Sequence, residues 1–216
     1  MNEQIRRVAI WSGWLRALHA LLAVATLTLM ATGWLIANAP TQAAVAADVH
    51  YLAASVLVAA LAVRLFLGFR GAGAERFDLL LPRASELGAM RASLLFYLSL
   101  GRAPLPNWYA HNPLWKPGYL ILFLLLTLLA ISGWLMPEMP VLGRLYLPRL
   151  HGWLSDIVWV LVAAHLFSTV LQDVKGKTAD ISAMLNGQRY FDIDKGREAA
   201  PGSGPVSIRL DDVGKS

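Results

Sequence analysis

The sequence predicts an all-α, integral-membrane four-helix bundle, and three observations carry that reading. Hydrophobic residues make up 56% of the 216 positions and charged residues 15%, with a mean hydropathy of +0.51. A soluble domain carries about 25% charged residues, so most of this surface is built for lipid. Four apolar runs are each long enough to cross about 30 Å of hydrocarbon as helices, and the basic residues gather in alternate connections between them.

The first run covers residues 13–37 and ends in Ala37-Asn38-Ala39, which resembles a signal-peptidase site. It is longer than the roughly 7–15 apolar residues of a signal sequence and reads as a retained span. The second, third and fourth runs cover residues 49–69, 118–136 and 150–171. Three basic residues precede or open the first run (Arg6, Arg7, Arg16), six lie from Arg70 to Lys116, and seven from Lys175 onward. The connections at 38–48 and 137–149 carry none and two. The positive-inside rule therefore puts both termini and the long second connection in the cytoplasm. Trp11, Trp14, Trp34, Trp115, Trp134 and Trp153 sit near span ends, where amphipathic rings favour the interface.

Within the long connection, residues 85–100 show helical spacing of apolar and small residues, the pattern of an interfacial helix. After residue 172 hydrophobicity falls, and beyond Arg197 the chain is rich in Gly, Pro, Ser and Asp. The expected organisation is one transmembrane domain over residues 1–197 with a flexible tail at 198–216. There is no cysteine, which excludes disulfides, thiolate-held iron–sulfur clusters, thioether-attached haem and cysteine nucleophiles. The net charge of +5 lies beside the spans, so it reads as an orientation signal and not as a nucleic-acid surface.

A weak repeat links Thr32-Gly33-Trp34-Leu35 at the outer end of the first span to Ser132-Gly133-Trp134-Leu135 at the outer end of the third. His50 and His151 follow the two tryptophans by 16 and 17 residues. Two related helical hairpins would produce this pattern, and so would a common way of ending a transmembrane helix.

Four histidines, His19, His50, His151 and His165, lie in the predicted spans, where an ionisable side chain is a functional candidate by default. At 1.5 Å per residue, His50 sits at the outer end of its span, and His19 about 27 Å below the outer end of the first. His165 follows His151 by nearly four turns, about 21 Å deeper on the same face. The depths match in pairs, His50 with His151 outside and His19 with His165 inside. Facing imidazoles in a bundle, without cysteine or clustered carboxylates, suit two haem b groups better than zinc, which needs three or four ligands together. With both axial positions filled by protein, the chemistry left to such an iron is electron transfer. Arg16, Arg64 and Arg149 are candidate partners for haem propionates, and each also reads as an ordinary span-end or snorkelling cation. Asp156 either tunes the outer site or faces the loop.

These residues together resemble the bacterial b-type cytochromes related to the cytochrome subunit of nickel–iron hydrogenases and to bacterial cytochrome b561. The resemblance spans residues 8–191. It rests on Trp11 with Arg16-x-x-His19, Thr32-Gly33, Val49-His50, Arg64-Leu65-Phe66 before a Gly-rich turn, and His111-Asn112-Pro113. It continues through His151, His165, Ile181-Ser182-Ala183-Met184, Gly187 and Arg189-Tyr190-Phe191. It implies that His19, His50, His151 and His165 are axial ligands of two b haems in a protein of the bacterial inner membrane. It further implies electron flow from a periplasmic redox partner to membrane quinone. Hydrogenase, a molybdoenzyme and a soluble cytochrome all fit as the partner, and a homo-oligomer stays open. His111 reads as a structural residue at the start of the third span, with protonation of quinone as its alternative role. Two other readings remain: a free-standing oxidoreductase taking electrons from a small donor such as superoxide, and a non-redox transporter or assembly factor, which predicts helices broken in mid-span.

Overall fold

Four long helices dominate the computed structural model, which describes residues 4–175 and 180–193. They are α1 (Gly13–Asn38), α2 (Ala43–Arg70), α4 (Lys116–Leu135) and α5 (Leu147–Lys175), with the shorter α3 (Leu87–Leu98) and α6 (Asp180–Asn186) between and after them. All four long helices are apolar enough to cross a membrane, and each runs unbroken through its span. The discontinuous helices of a transporter do not occur among the described residues. Their outward faces leave Val24, Leu27, Leu52, Val63, Leu124, Ile131, Val160 and Val170 exposed, an apolar surface suited to lipid. The chain is built as a multi-pass membrane protein.

Two hairpins make the bundle. α1 packs along α2 and α4 along α5, and α2 meets α4 to join them. One apolar cluster, Ala25, Leu57, Leu61 and Leu126, ties the first hairpin to α4. Another, Met30, Leu125 and Val158, ties α1 to the second hairpin at mid-depth. Helix α3 falls within the stretch expected to lie along the interface, with Leu87, Leu94, Leu95 and Leu98 exposed and Phe96 buried.

The helices exceed the apolar runs by three or more residues at three of their ends. α2 begins at Ala43 and not at residue 49, so the first outer connection shrinks to residues 39–42. Alanine is the strongest helix former but only weakly hydrophobic, so Ala43, Ala44, Ala46 and Ala47 extend the helix without extending the hydropathy signal. His50 consequently lies inside α2 and not at its outer end. α5 runs from Leu147 to Lys175, beyond the expected 150–171 at both ends.

Short strands, for which hydropathy has no signal, complete the fold. β1 (Gln4–Ala9) pairs antiparallel with β4 (Gln188–Ile193), in register from Gln4 opposite Ile193 to Ala9 opposite Gln188. β2 (Val141–Leu142) and β3 (Leu145–Tyr146) form a hairpin in the second outer connection. The β1–β4 ribbon is fastened by Gly187, whose carbonyl accepts from the backbone N–H groups of Ile10 (3.0 Å) and Trp11 (3.2 Å). Gly187 has φ +82°, and a Cβ there would stand 2.9 Å from the Trp11 carbonyl oxygen, so both conformation and space demand glycine. The tail at 198–216, expected to be flexible, lies outside the described residues.

At the inner end of α2, the Phe77 ring packs against Gly68, so close that a Cβ on Gly68 would fall 2.2 Å from the ring. Phe77 is itself held by Phe69 and Phe123 at ring distances of 5.2 and 5.6 Å and by the Arg64 guanidinium at 5.2 Å. Gly68→Ala is expected to lower stability by about 1–3 kcal/mol through overpacking, read as a lower melting temperature in detergent. Adding Phe77→Leu should recover part of that loss, because a smaller, more flexible side chain can yield to the new methyl group.

Candidate functional site

The four span histidines meet in two pairs, because α5 presents one inward stripe. Spacing of three and four residues puts His151, Val158, His165, Ser168 and Gln172 along one face of α5, and Val158, Ser168 and Gln172 are buried. The upper end of that stripe faces His50 on α2, with ring centroids 6.4 Å apart and planes at 61°. The lower end faces His19 on α1, at 6.5 Å and 64°. The two pairs are separated along α5 by fourteen residues, about 21 Å, and the Met30, Leu125 and Val158 layer lies at the depth between them.

These separations test whether a bis-imidazole metal site fits. A ligating nitrogen stands about 2.0–2.1 Å from its metal and about 1.1 Å from its own ring centroid, so two axial rings sit roughly 6.3 Å apart. Both pairs match that span. A direct hydrogen bond between two imidazoles would draw the rings closer together, as a nitrogen-to-nitrogen distance near 2.9 Å requires. Among the described residues no group of three or more His, Asp or Glu comes together, so the donor set suits a planar prosthetic group that brings its own equatorial ligands.

At the outer pair each ring is held by a hydroxyl. Thr32 Oγ1 lies 2.8 Å from His50 Nδ1, and Ser132 Oγ lies 2.9 Å from His151 Nδ1. The neighbouring Gly33 and Gly133 face the Cε1 edges of the same rings, and a Cβ there would come within 3.6 and 3.3 Å of them. The repeated Thr-Gly-Trp-Leu and Ser-Gly-Trp-Leu segments therefore do the same work in both hairpins, which favours related hairpins over a shared helix ending. Sequence reasoning had singled out these segments without seeing that their hydroxyls orient the histidines. The signal was present in the pairing of a hydroxyl residue with a glycine one position on.

The inner pair is built differently. His165 is surrounded by rings, Trp115 at 5.4 Å and Tyr119 at 6.1 Å, and its buried Nδ1 has no hydrogen-bond partner among the described residues. His19 is exposed.

The three arginines have different surroundings. Arg16, one turn before His19, donates through Nη1 to the Leu185 carbonyl, while its Nε is buried and without a hydrogen-bond partner among the described residues. Arg64 is buried, donates to the Glu75 carbonyl at 2.9 Å and lies over Phe77 and Phe123, so its described contacts go to the loop and α4 and not to His19 or His165. Arg149 lies over Trp153 at 5.5 Å, one helical turn further along α5. Asp156 is exposed on the outer half of α5.

His111 packs edge-on against Trp11 at 5.1 Å and Tyr119 at 6.0 Å. Burial, helped by the nearby charges of Arg64 and Lys116, pushes its pKa from the ordinary 6.5 down to about 4. The helix entry expected of this region is made by its neighbour: Asn112 Oδ1 accepts from the Leu114 N–H at 3.0 Å, and the Asn112 carbonyl accepts from Trp115 and Lys116.

A family model described as prokaryotic cytochrome b561 matches residues 10–187 of this chain. A curated relative from Bradyrhizobium diazoefficiens, named a probable Ni/Fe-hydrogenase B-type cytochrome subunit, is 24% identical over 85% of this chain and 86% of its own length. No solved structure matches the chain.

The depressed pKa of His111 makes stability depend on pH in a defined window. Between pH 6.5 and about 4 the unfolded chain binds a proton that the folded protein does not, so stability falls as the pH is lowered through this range and levels off below it. The full loss is about 3 kcal/mol. Thermal unfolding of the detergent-solubilised protein at pH 7 and pH 5 should show this dependence in the wild type and a weaker one in His111→Gln.

Proposed function

The chain belongs to the prokaryotic cytochrome b561 family, and on that premise we propose that it carries electrons through two b haems between a periplasmic redox enzyme and membrane quinone. Transmembrane electron transfer with b-type haem is the work of this family. The proposal adds the number of haems, their ligands and the two ends of the path.

The observation that carries it is the pairing of the histidines at 6.4 and 6.5 Å, each the span of two axial imidazoles. A b haem with both axial positions taken by imidazole supplies a one-electron ferric–ferrous couple and no open coordination position for a substrate. His50 and His151 would hold the outer group, and His19 and His165 the inner one. Thr32 and Ser132 fix the rings of the outer pair. Trp115 and Tyr119 pack edge-on against His165 and would hold its ring. Met30, Leu125 and Val158 keep the depth between the pairs apolar, which denies protons a polar route along the path of the electron. Arg16 and Arg149, at the inner and outer ends, would neutralise propionates. Arg64 would serve the inner site more remotely, through its charge.

Support for an enzyme partner comes from the relative named as the cytochrome subunit of a hydrogenase, which aligns over most of both chains. A periplasmic oxidoreductase of that kind would dock on the outer end, beside the β2–β3 hairpin and the start of α5, and quinone would react at the inner end.

Haem b per chain in the detergent-purified protein tests the reading. Two haems reducible by dithionite are expected in the wild type, and one each in His165→Ala and His50→Ala, the survivor being the haem of the untouched pair. A wild type with no haem, or a His165→Ala protein that keeps the inner haem and loses the outer, would sink it.

A further inference from the structure

We infer that Thr32 and Ser132 are positioning residues that lower the reduction potential of the outer haem by accepting the Nδ1–H bonds of its two axial histidines. The inference rests on the two-haem reading above.

The direction of the two hydrogen bonds follows from counting protons. A hydroxyl has one proton to give and two lone pairs to accept with. Thr32 gives its proton to the Thr28 carbonyl at 2.7 Å, and Ser132 gives its own to the Leu129 carbonyl at 3.1 Å, both within their own helices. Towards the histidines, at 2.8 and 2.9 Å, each oxygen can therefore only accept. Nδ1 of both His50 and His151 must carry the proton. That leaves Nε2 as the nitrogen with a free lone pair in each ring, and the tautomer is set before any metal binds. Helix geometry keeps the hydroxyls in place, because their protons are tied to carbonyls one turn back.

An Nδ1–H bond to an acceptor pushes electron density into the ring and makes the opposite nitrogen a stronger base. A stronger donor stabilises the ferric ion more than the ferrous one, so the potential falls. At the inner pair one ring lacks such an acceptor: Nδ1 of His165 is buried and has no hydrogen-bond partner among the described residues. The two sites, alike in ring separation, thus differ in what stands behind the rings. The effect of Thr32 and Ser132 is confined to the outer haem and favours release of its electron inward. The near repeat of Thr32-Gly33 and Ser132-Gly133 puts one such acceptor on each hairpin, with glycine at the next position admitting the ring edge.

Redox titration followed by optical and EPR spectra, in Thr32→Val, Ser132→Ala and the double variant, tests the inference, with the inner haem as an internal reference. The outer haem is identified as the one lost in His50→Ala. Each single variant should raise its midpoint, by up to about tenfold in the ferric–ferrous equilibrium or about 59 mV, and the double variant should raise it further. Thr32→Ser and Ser132→Thr, which keep the hydroxyl, should restore the wild-type value. Should Thr32→Val lose the outer haem, Ser132→Ala alone decides the matter. Two haems with an unmoved outer midpoint would overturn the inference and leave the two-haem reading standing, as would equal shifts in both haems or no rescue by the hydroxyl variants. Fewer than two haems in the wild type would instead overturn the reading beneath it.

Discussion

An imidazole inside hydrocarbon must be hydrogen-bonded, ligated or turned toward another polar group, because nothing in the lipid can satisfy it. Four histidines in the spans impose this demand at two depths, and the rest of the bundle answers it. α5 carries one member of each pair on a single stripe, so its rotation and depth are fixed by both sites at once. α1 must then bring His19 to the lower end of that stripe, and α2 must bring His50 to the upper end. The two hairpins and the α2–α4 contact that joins them meet these conditions.

The two ends of the bundle answer the same demand by different means. The outer rings are held by hydroxyls whose protons are anchored in their own helices, with glycines beside the ring edges. The inner site is a pocket of aromatic rings around His165, with Arg16 one turn below His19 and the buried cation Arg64 at the same end of α2. One end is defined by hydrogen bonds and the other by aromatic packing and positive charge.

The long connection between α2 and α4 works as a cap for that end of the bundle. Ser12 accepts from the Leu15 N–H at the start of α1 and donates to the Glu75 carboxylate, while the Glu75 carbonyl receives Arg64. Lys116, at the start of α4, pairs with Glu86, and the Tyr97 hydroxyl accepts from Asn112 and from Gln172 of α5. Arg189 donates to the carbonyls of Trp108 and Tyr109 and lies over the Trp108 ring, so the β1–β4 ribbon closes on the same segment. Arg64, which reads as a snorkelling cation in the sequence, is here bound by a loop carbonyl. These contacts hold the inner ends of α1, α2, α4 and α5 against one another, where lipid offers no hydrophobic drive for association.

The sequence by itself determined the number of spans and the pairing of His19 with His165 and His50 with His151. Both follow from one-dimensional quantities: apolar length and rise per residue. The rotation of each helix and the partners of each polar group depend on residues distant in the chain, and only the tertiary structure decided them. Thus Ala43 to Ala47 lengthened α2 through helix propensity that hydropathy does not register, and Arg64 went to a carbonyl eleven residues away. The hydroxyls of Thr32 and Ser132 found their histidines across a hairpin, 18 and 19 residues on. Depth is additive along a helix and legible in spacing, whereas a hydrogen bond between helices exists only once packing has fixed both of its ends.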